Sequence, residues 1–129
     1  MRLLLLVLAL LLPAYAAAQT VEWRSAREYE VLMRPFAYEP RPIRLAAGQP
    51  VKLRFVNQGQ ATYTFAAEDF FGAARIRAGD DETIAEGAVR IAPGERRVIA
   101  LVPAPGRYRA RSRNFLHRLL GMSVEIVVE

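Results

Sequence analysis

Three stretches of the chain alternate apolar and polar side chains, and this two-residue period limits the fold more than any other feature. Tyr29, Val31 and Met33 interleave with Glu28 and Glu30. Val51, Leu53 and Phe55 interleave with Lys52 and Arg54, and Val124, Ile126 and Val128 with Ser123 and Glu125. A side chain that reverses direction at every residue belongs to a β-strand with one buried face. Between the runs lie turn signals: Pro40 and Pro42, Ala47-Gly48-Gln49-Pro50, Asn57-Gln58-Gly59, Pro93-Gly94 and Pro103-Ala104-Pro105-Gly106. Val98 to Val102 is apolar throughout, which predicts a strand covered on both sides. Asp69 is a candidate cap for a short helix near 69–75 carrying Phe70, Phe71 and Ala74, and residues 78–87 read as an acidic exposed loop. About seven strands, with turns at roughly ten-residue spacing, predict an all-β sandwich of two sheets joined by Greek-key connections.

The first eighteen residues read differently. Arg2 precedes a leucine-rich run from Leu3 to Leu12, followed by Pro13 and the small residues Ala14, Ala16, Ala17 and Ala18. That order is expected of a secretory signal peptide, residues 1–18, cut after Ala18. The apolar run is about half of the ~20 residues a membrane span needs, so no span is expected after cleavage. Residues 19–129 then form one domain, periplasmic or secreted, large enough to bury a core without cross-links. The chain contains no cysteine, which excludes disulfides and also any thiolate ligand for a metal. Its formal net charge of +5 comes almost entirely from arginine, Lys52 being the exception. In an exported protein such a balance argues against nucleic acid and toward an acidic protein or anionic headgroup as partner.

The most informative segment is 105–128, PGRYRARSRNFLHRLLGMSVEIVV. Alternation sends Arg107, Arg109 and Arg111 to one face, with Arg113 continuing the series, and turns Tyr108, Ala110 and Ser112 toward the core. A loop then brings His117 and Met122 back before the last strand.

At these residues the chain resembles the cupredoxins, the plastocyanin- and azurin-like family of small exported copper proteins. Phe36-x-Tyr38-x-Pro40 with Ile43-x-Leu45 resembles the family's aromatic-x-aromatic-x-Pro segment and the strand after it. Ile91-x-Pro93-Gly94 and Pro105-Gly106-x-Tyr108 resemble its two late Pro-Gly points. The closing loop is the most specific match: the family runs Cys, four residues, His, four residues ending in Gly, then Met. Here these positions are Ser112, His117, Gly121 and Met122. The resemblance implies a cupredoxin-like sandwich and a copper-related setting, with His117 and Met122 as residual ligand positions. The family's early His, which precedes x-Phe, falls on Tyr63 in Tyr63-Thr64-Phe65, and its Cys falls on Ser112.

Those two departures are chemically decisive for the blue centre, which needs two imidazoles and a thiolate. A serine hydroxyl is neither soft nor acidic enough to replace a thiol, and Tyr63 would ligate only as a phenolate, whose ordinary pKa is about 10. For each remaining residue two readings stand. His117 is a hydrogen-bonding loop residue or a ligand, Met122 a packing residue or a thioether donor. Tyr63 and Ser112 are expected to fill the former cavity with polar contacts. The arginine series 107, 109, 111 and 113 is a solvated strand face or a surface for an acidic partner. Ser112 and His117 lack a Gly-x-Ser-x-Gly elbow and a recognisable acid, so no enzyme is expected. Two functions remain: weak Cu(I) capture or delivery beside a copper-handling protein, with copper as a candidate cofactor, and a metal-free protein-interaction module.

Overall fold

The computed structural model describes residues 20–129; the predicted signal peptide lies outside the described residues. Eleven strands make two sheets: β1 (Arg27–Arg34), β2 (Ala37–Glu39), β3 (Ile43–Leu45), β4 (Val51–Asn57), β5 (Tyr63–Ala66), β6 (Arg75–Ile76), β7 (Ile84–Ala85), β8 (Ala88–Ile91), β9 (Arg96–Val102), β10 (Gly106–Arg111) and β11 (Ser123–Val128). One sheet runs β2-β1-β4-β9-β6, the other β3-β11-β10-β5-β8-β7. The chain passes from one sheet to the other seven times, after β2, β3, β4, β5, β6, β8 and β9, so strands of both sheets interleave along the sequence as in Greek-key sandwiches. The excess over seven strands comes from two- and three-residue pairings at the sheet margins.

Alternation buries the faces it predicts. In β4, Val51, Leu53, Phe55 and Asn57 are buried while Lys52, Arg54 and Val56 are half-exposed. The centre of the sandwich is aromatic: Phe65 meets Phe55 at a ring separation of 4.9 Å and Tyr38 edge-on at 5.4 Å. Such pairs add to what burial contributes. Tyr38 donates its hydroxyl to Thr64 O, and desolvation pushes its phenol pKa up, so it stays neutral.

Several expectations are corrected. Tyr29 and Tyr108, expected in the core, pack against it but stay partly exposed, with their hydroxyls reaching backbone: Tyr29 accepts from Arg44 N, and Tyr108 donates to Ala104 O at 3.0 Å. In β9, only Ile99, Ala100 and Leu101 are buried, and Val98 is exposed, because the strand's first half lies beyond the cover supplied by residues 77–80. The helix α1 covers Glu68–Ala73; Asp69 lies inside its first turn, Ala67 precedes it without a side-chain cap, and Ala74 ends it. Acidic Glu68 and Asp69 still suit the positive helix start. The acidic loop is partly ordered: Asp80–Thr83 form a 3-10 turn in which Asp80 pairs with Arg77 and accepts from Ala100 N.

Candidate functional site

The site lies at one end of the sandwich, where the β10–β11 connection meets the β1–β2 turn and the start of β5. β10 ends at Arg111, and Ser112 follows with no solvent exposure. Asn114 then caps a short helix α2 (Phe115–Leu119), its side chain accepting from Leu116 N at 3.0 Å and His117 N at 3.3 Å. His117 therefore sits on a helix, where a plain loop was expected; the Asn before an apolar run was the signal for it.

The backbone closes the loop around these residues. Ser112 N donates to Met122 O at 3.1 Å, and Met122 N donates to His117 O at 2.9 Å. Met122 is fully buried immediately before β11. Ser112 Oγ accepts from Asn114 N at 3.2 Å and makes a long contact of 3.4 Å with His117 Nδ1. With one lone pair taken by Asn114, the hydroxyl proton is available to that nitrogen.

The half-buried imidazole is held by two aromatic edges. Its ring centroid is 5.2 Å from Tyr63 and 5.9 Å from Phe36, both T-shaped. Tyr63 is buried, and its ring lies against Gly59, where a Cβ would come within 2.5 Å of the ring. Thus Tyr63, Ser112 and His117 converge side chain to side chain, and Met122 is tied to the last two through the backbone. Phe36, read in the sequence only as part of the aromatic-x-aromatic-x-Pro segment, was not expected beside His117. It occupies a turn with φ of 62°, which no local pattern announces.

The arginines divide. Arg107, Arg109 and Arg111 are exposed on β10, with Arg107 paired to Glu125 at 2.9 Å and Arg109 3.4 Å from Ser123 Oγ. Arg113 lies beyond the strand and leaves the series: its backbone N–H donates to Thr64 Oγ1 at 2.7 Å, and its guanidinium reaches Glu68 at 3.2 Å and Glu86 at 3.3 Å. It acts as a clamp between β5, α1 and the β10–β11 connection.

The chemistry of this donor set does not fit a blue-copper centre. There is no thiolate, the second imidazole position is a phenol, and the remaining imidazole nitrogen Nδ1 faces a hydroxyl. Among the described residues, no three His, Cys, Asp or Glu side chains are grouped so as to hold a metal ion.

Two sheets in this strand order, closed by a Ser112-His117-Met122 loop, define a cupredoxin-type sandwich with an altered ligand set. The chain belongs to the cupredoxin-like domain family, whose pattern matches residues 2–117. Among solved structures it is similar to the dithionite-reduced auracyanin of the photosynthetic bacterium Roseiflexus castenholzii, with 21% identity and a TM-score of 0.58 over 81% of this chain and 98% of that one. Auracyanin A, a "blue" copper protein of Chloroflexus aurantiacus, is 17% identical with a TM-score of 0.55, covering 79% and 98% of the two chains. The multicopper oxidase McoA of Aquifex aeolicus is 15% identical with a TM-score of 0.61; the match spans 86% of this chain and 31% of the oxidase. At these identities the likeness concerns the fold. No curated protein matches the sequence.

Proposed function

We propose that the chain is an exported cupredoxin-like binding protein that works in a copper-related setting without blue-copper electron transfer, offering His117 and Met122 for weak capture of Cu(I) as cargo. The observation that carries the reading is the closed loop: Ser112, His117 and Met122 are joined by backbone hydrogen bonds of 3.1 and 2.9 Å, so both residual donors belong to one rigid unit. Soft monovalent copper accepts imidazole and thioether in low coordination, and a partner's ligand would complete the shell. No catalytic step is assigned to it. The leader pattern of residues 1–18 supports the exported location, and among the described residues no helix is long and apolar enough to cross a membrane.

Competition against a Cu(I) chelator at pH 7 tests the reading. Affinity is expected to fall for His117→Ala and for Met122→Leu, and further for both together. Equal, negligible retention by wild type and double variant would leave a second reading, a metal-free interaction module. The exposed Arg107, Arg109 and Arg111 on β10 favour that alternative, as a face for an acidic protein.

A further inference from the structure

The end of the sandwich that carries His117 is also its most apolar surface. Phe115, Leu116, Leu119 and Leu120 are each between 59% and 69% exposed, and Phe36, whose ring packs on His117, is 42% exposed. Positions 115, 116, 119 and 120 fall on one face of α2 and its last turn, since residues four apart stack along a helix. His117 turns from that face toward Tyr63 and Ser112. Large apolar side chains gathered at such exposure mark an interaction site.

The charges around this tip favour one occupant. Residues 107–124 hold five arginines and no acid. Arg118 is exposed on α2 itself, and Arg41 and Arg109 line a shallow cleft beside Gly121 together with Glu125. Arg107 is paired with Glu125, and Arg113 with Glu68 and Glu86, so the basic character of the flank comes from Arg109, Arg111 and Arg118. An aliphatic and aromatic tip with a basic flank matches the boundary of an anionic bilayer, where leucine and phenylalanine enter the acyl margin and arginine meets phosphate. The excess of basic over acidic residues in the chain adds to that complementarity.

We propose that the α2 tip, with Phe36, is a peripheral docking surface for anionic phospholipid membranes. The lipid-facing residues are Phe115, Leu116, Leu119 and Leu120, and Arg118 is the headgroup contact. The lipid-facing residues are distinct from the residual donor positions His117 and Met122, so vesicle binding and Cu(I) retention can be read separately.

Co-sedimentation with phosphatidylglycerol–phosphatidylcholine vesicles tests this, with pure phosphatidylcholine vesicles as the neutral control. Wild-type protein should sediment with the anionic vesicles and much less with the neutral ones, and release as salt is raised. Leu116→Gln combined with Leu119→Gln should weaken binding at least tenfold, and Arg118→Gln about fivefold, the worth of one basic residue at such a surface. Because these side chains are exposed, circular dichroism should show the variants folded. A separate Leu119→Trp variant should shift its emission to the blue only with anionic vesicles. Sedimentation equal for wild type and the double glutamine variant would overturn the proposal, as would an unmoved Leu119→Trp emission. Concentration-dependent self-association lost in the same double variant, with no vesicle binding, would assign the tip to protein contact instead and overturn it too.

Discussion

Replacing Asn57 by alanine tests how the site's geometry is maintained. Asn57 ends β4 at 2% exposure, and its side chain uses three hydrogen bonds: Nδ2 donates to Ala61 O at 2.8 Å and Ile91 O at 2.9 Å, while Oδ1 accepts from Gly59 N at 2.8 Å. It thereby fixes the 58–62 turn that delivers Tyr63 to His117. Each bond contributes about 1 kcal/mol net, and leaving the buried Ile91 carbonyl short of a partner adds about 1 more. Asn57→Ala should therefore cost about 3–4 kcal/mol, a large share of the roughly 5–15 kcal/mol typical of a domain. At about 4 °C per kcal/mol, that lowers the melting temperature by roughly 12–16 °C. Asn57→Asp sharpens the test, since a carboxylate can accept from Gly59 N but offers no proton to either carbonyl. Burial beside two carbonyl oxygens raises the pKa of that carboxyl in the folded state above its unfolded value. The folded variant then holds the extra proton, and its deficit relative to wild type should shrink as pH falls. Thermal melts followed by circular dichroism read both effects. An Asn57→Ala melt within about 1 kcal/mol of wild type would refute the account.

Phe55→Ala should cost about 3–5 kcal/mol in denaturant titrations, because it removes a fully buried ring packed on Phe65, whereas Tyr108→Ala should cost less, since that side chain is only partly buried. Protein loaded with Cu(II) should show no intense thiolate charge-transfer band in the visible spectrum; a strong blue band would overturn the ligand argument, and Ser112→Cys should give only an imperfect site while Tyr63 occupies the second imidazole position. The hydrogen bond from Arg97 at 2.6 Å, and secondarily its charge, holds the Glu95 carboxyl below the usual carboxylate range. Its small stabilising effect is present above the ordinary carboxylate pKa and lost as pH falls through the lowered one. Carbon-detected NMR titration should find the Glu95 midpoint moving up in Arg97→Gln.

Period-two alternation made the strand faces legible because one buried face per strand is a local property: β4 could be assigned residue by residue from Val51, Leu53 and Phe55. The spacing of Ser112, His117 and Met122 placed three site positions on one connection for the same reason. What escaped was decided at a distance. Tyr29 and Tyr108 share the parity of core residues and pack against the core, yet their hydroxyls stay with backbone groups near its margin, which alternation cannot encode. Arg113 looked like one more exposed arginine because its partners, Glu68 and Glu86, come from segments far apart in sequence. The contact of Phe36 with His117 joins positions eighty-one residues apart through a left-handed turn. The helix of 115–119 was within reach of local reasoning, since Asn114 is an ordinary N-cap, but spacing to the ligand positions drew the reading toward a loop.

The altered ligand set does not leave the fold with a defect, and the reason is specific to Ser112. A buried hydroxyl without partners would be destabilising. Here Ser112 Oγ accepts a hydrogen bond from Asn114 N and contacts His117 Nδ1, and among the described residues no buried side-chain nitrogen or oxygen lacks a partner. Tyr63 supplies the volume and the aromatic edge against the imidazole. The loop is closed by Ser112 N to Met122 O and Met122 N to His117 O, bonds that involve only backbone atoms. Its shape therefore needs no metal. The surface around His117 is thus held in place by the hydrogen bonds of the 112–122 connection itself.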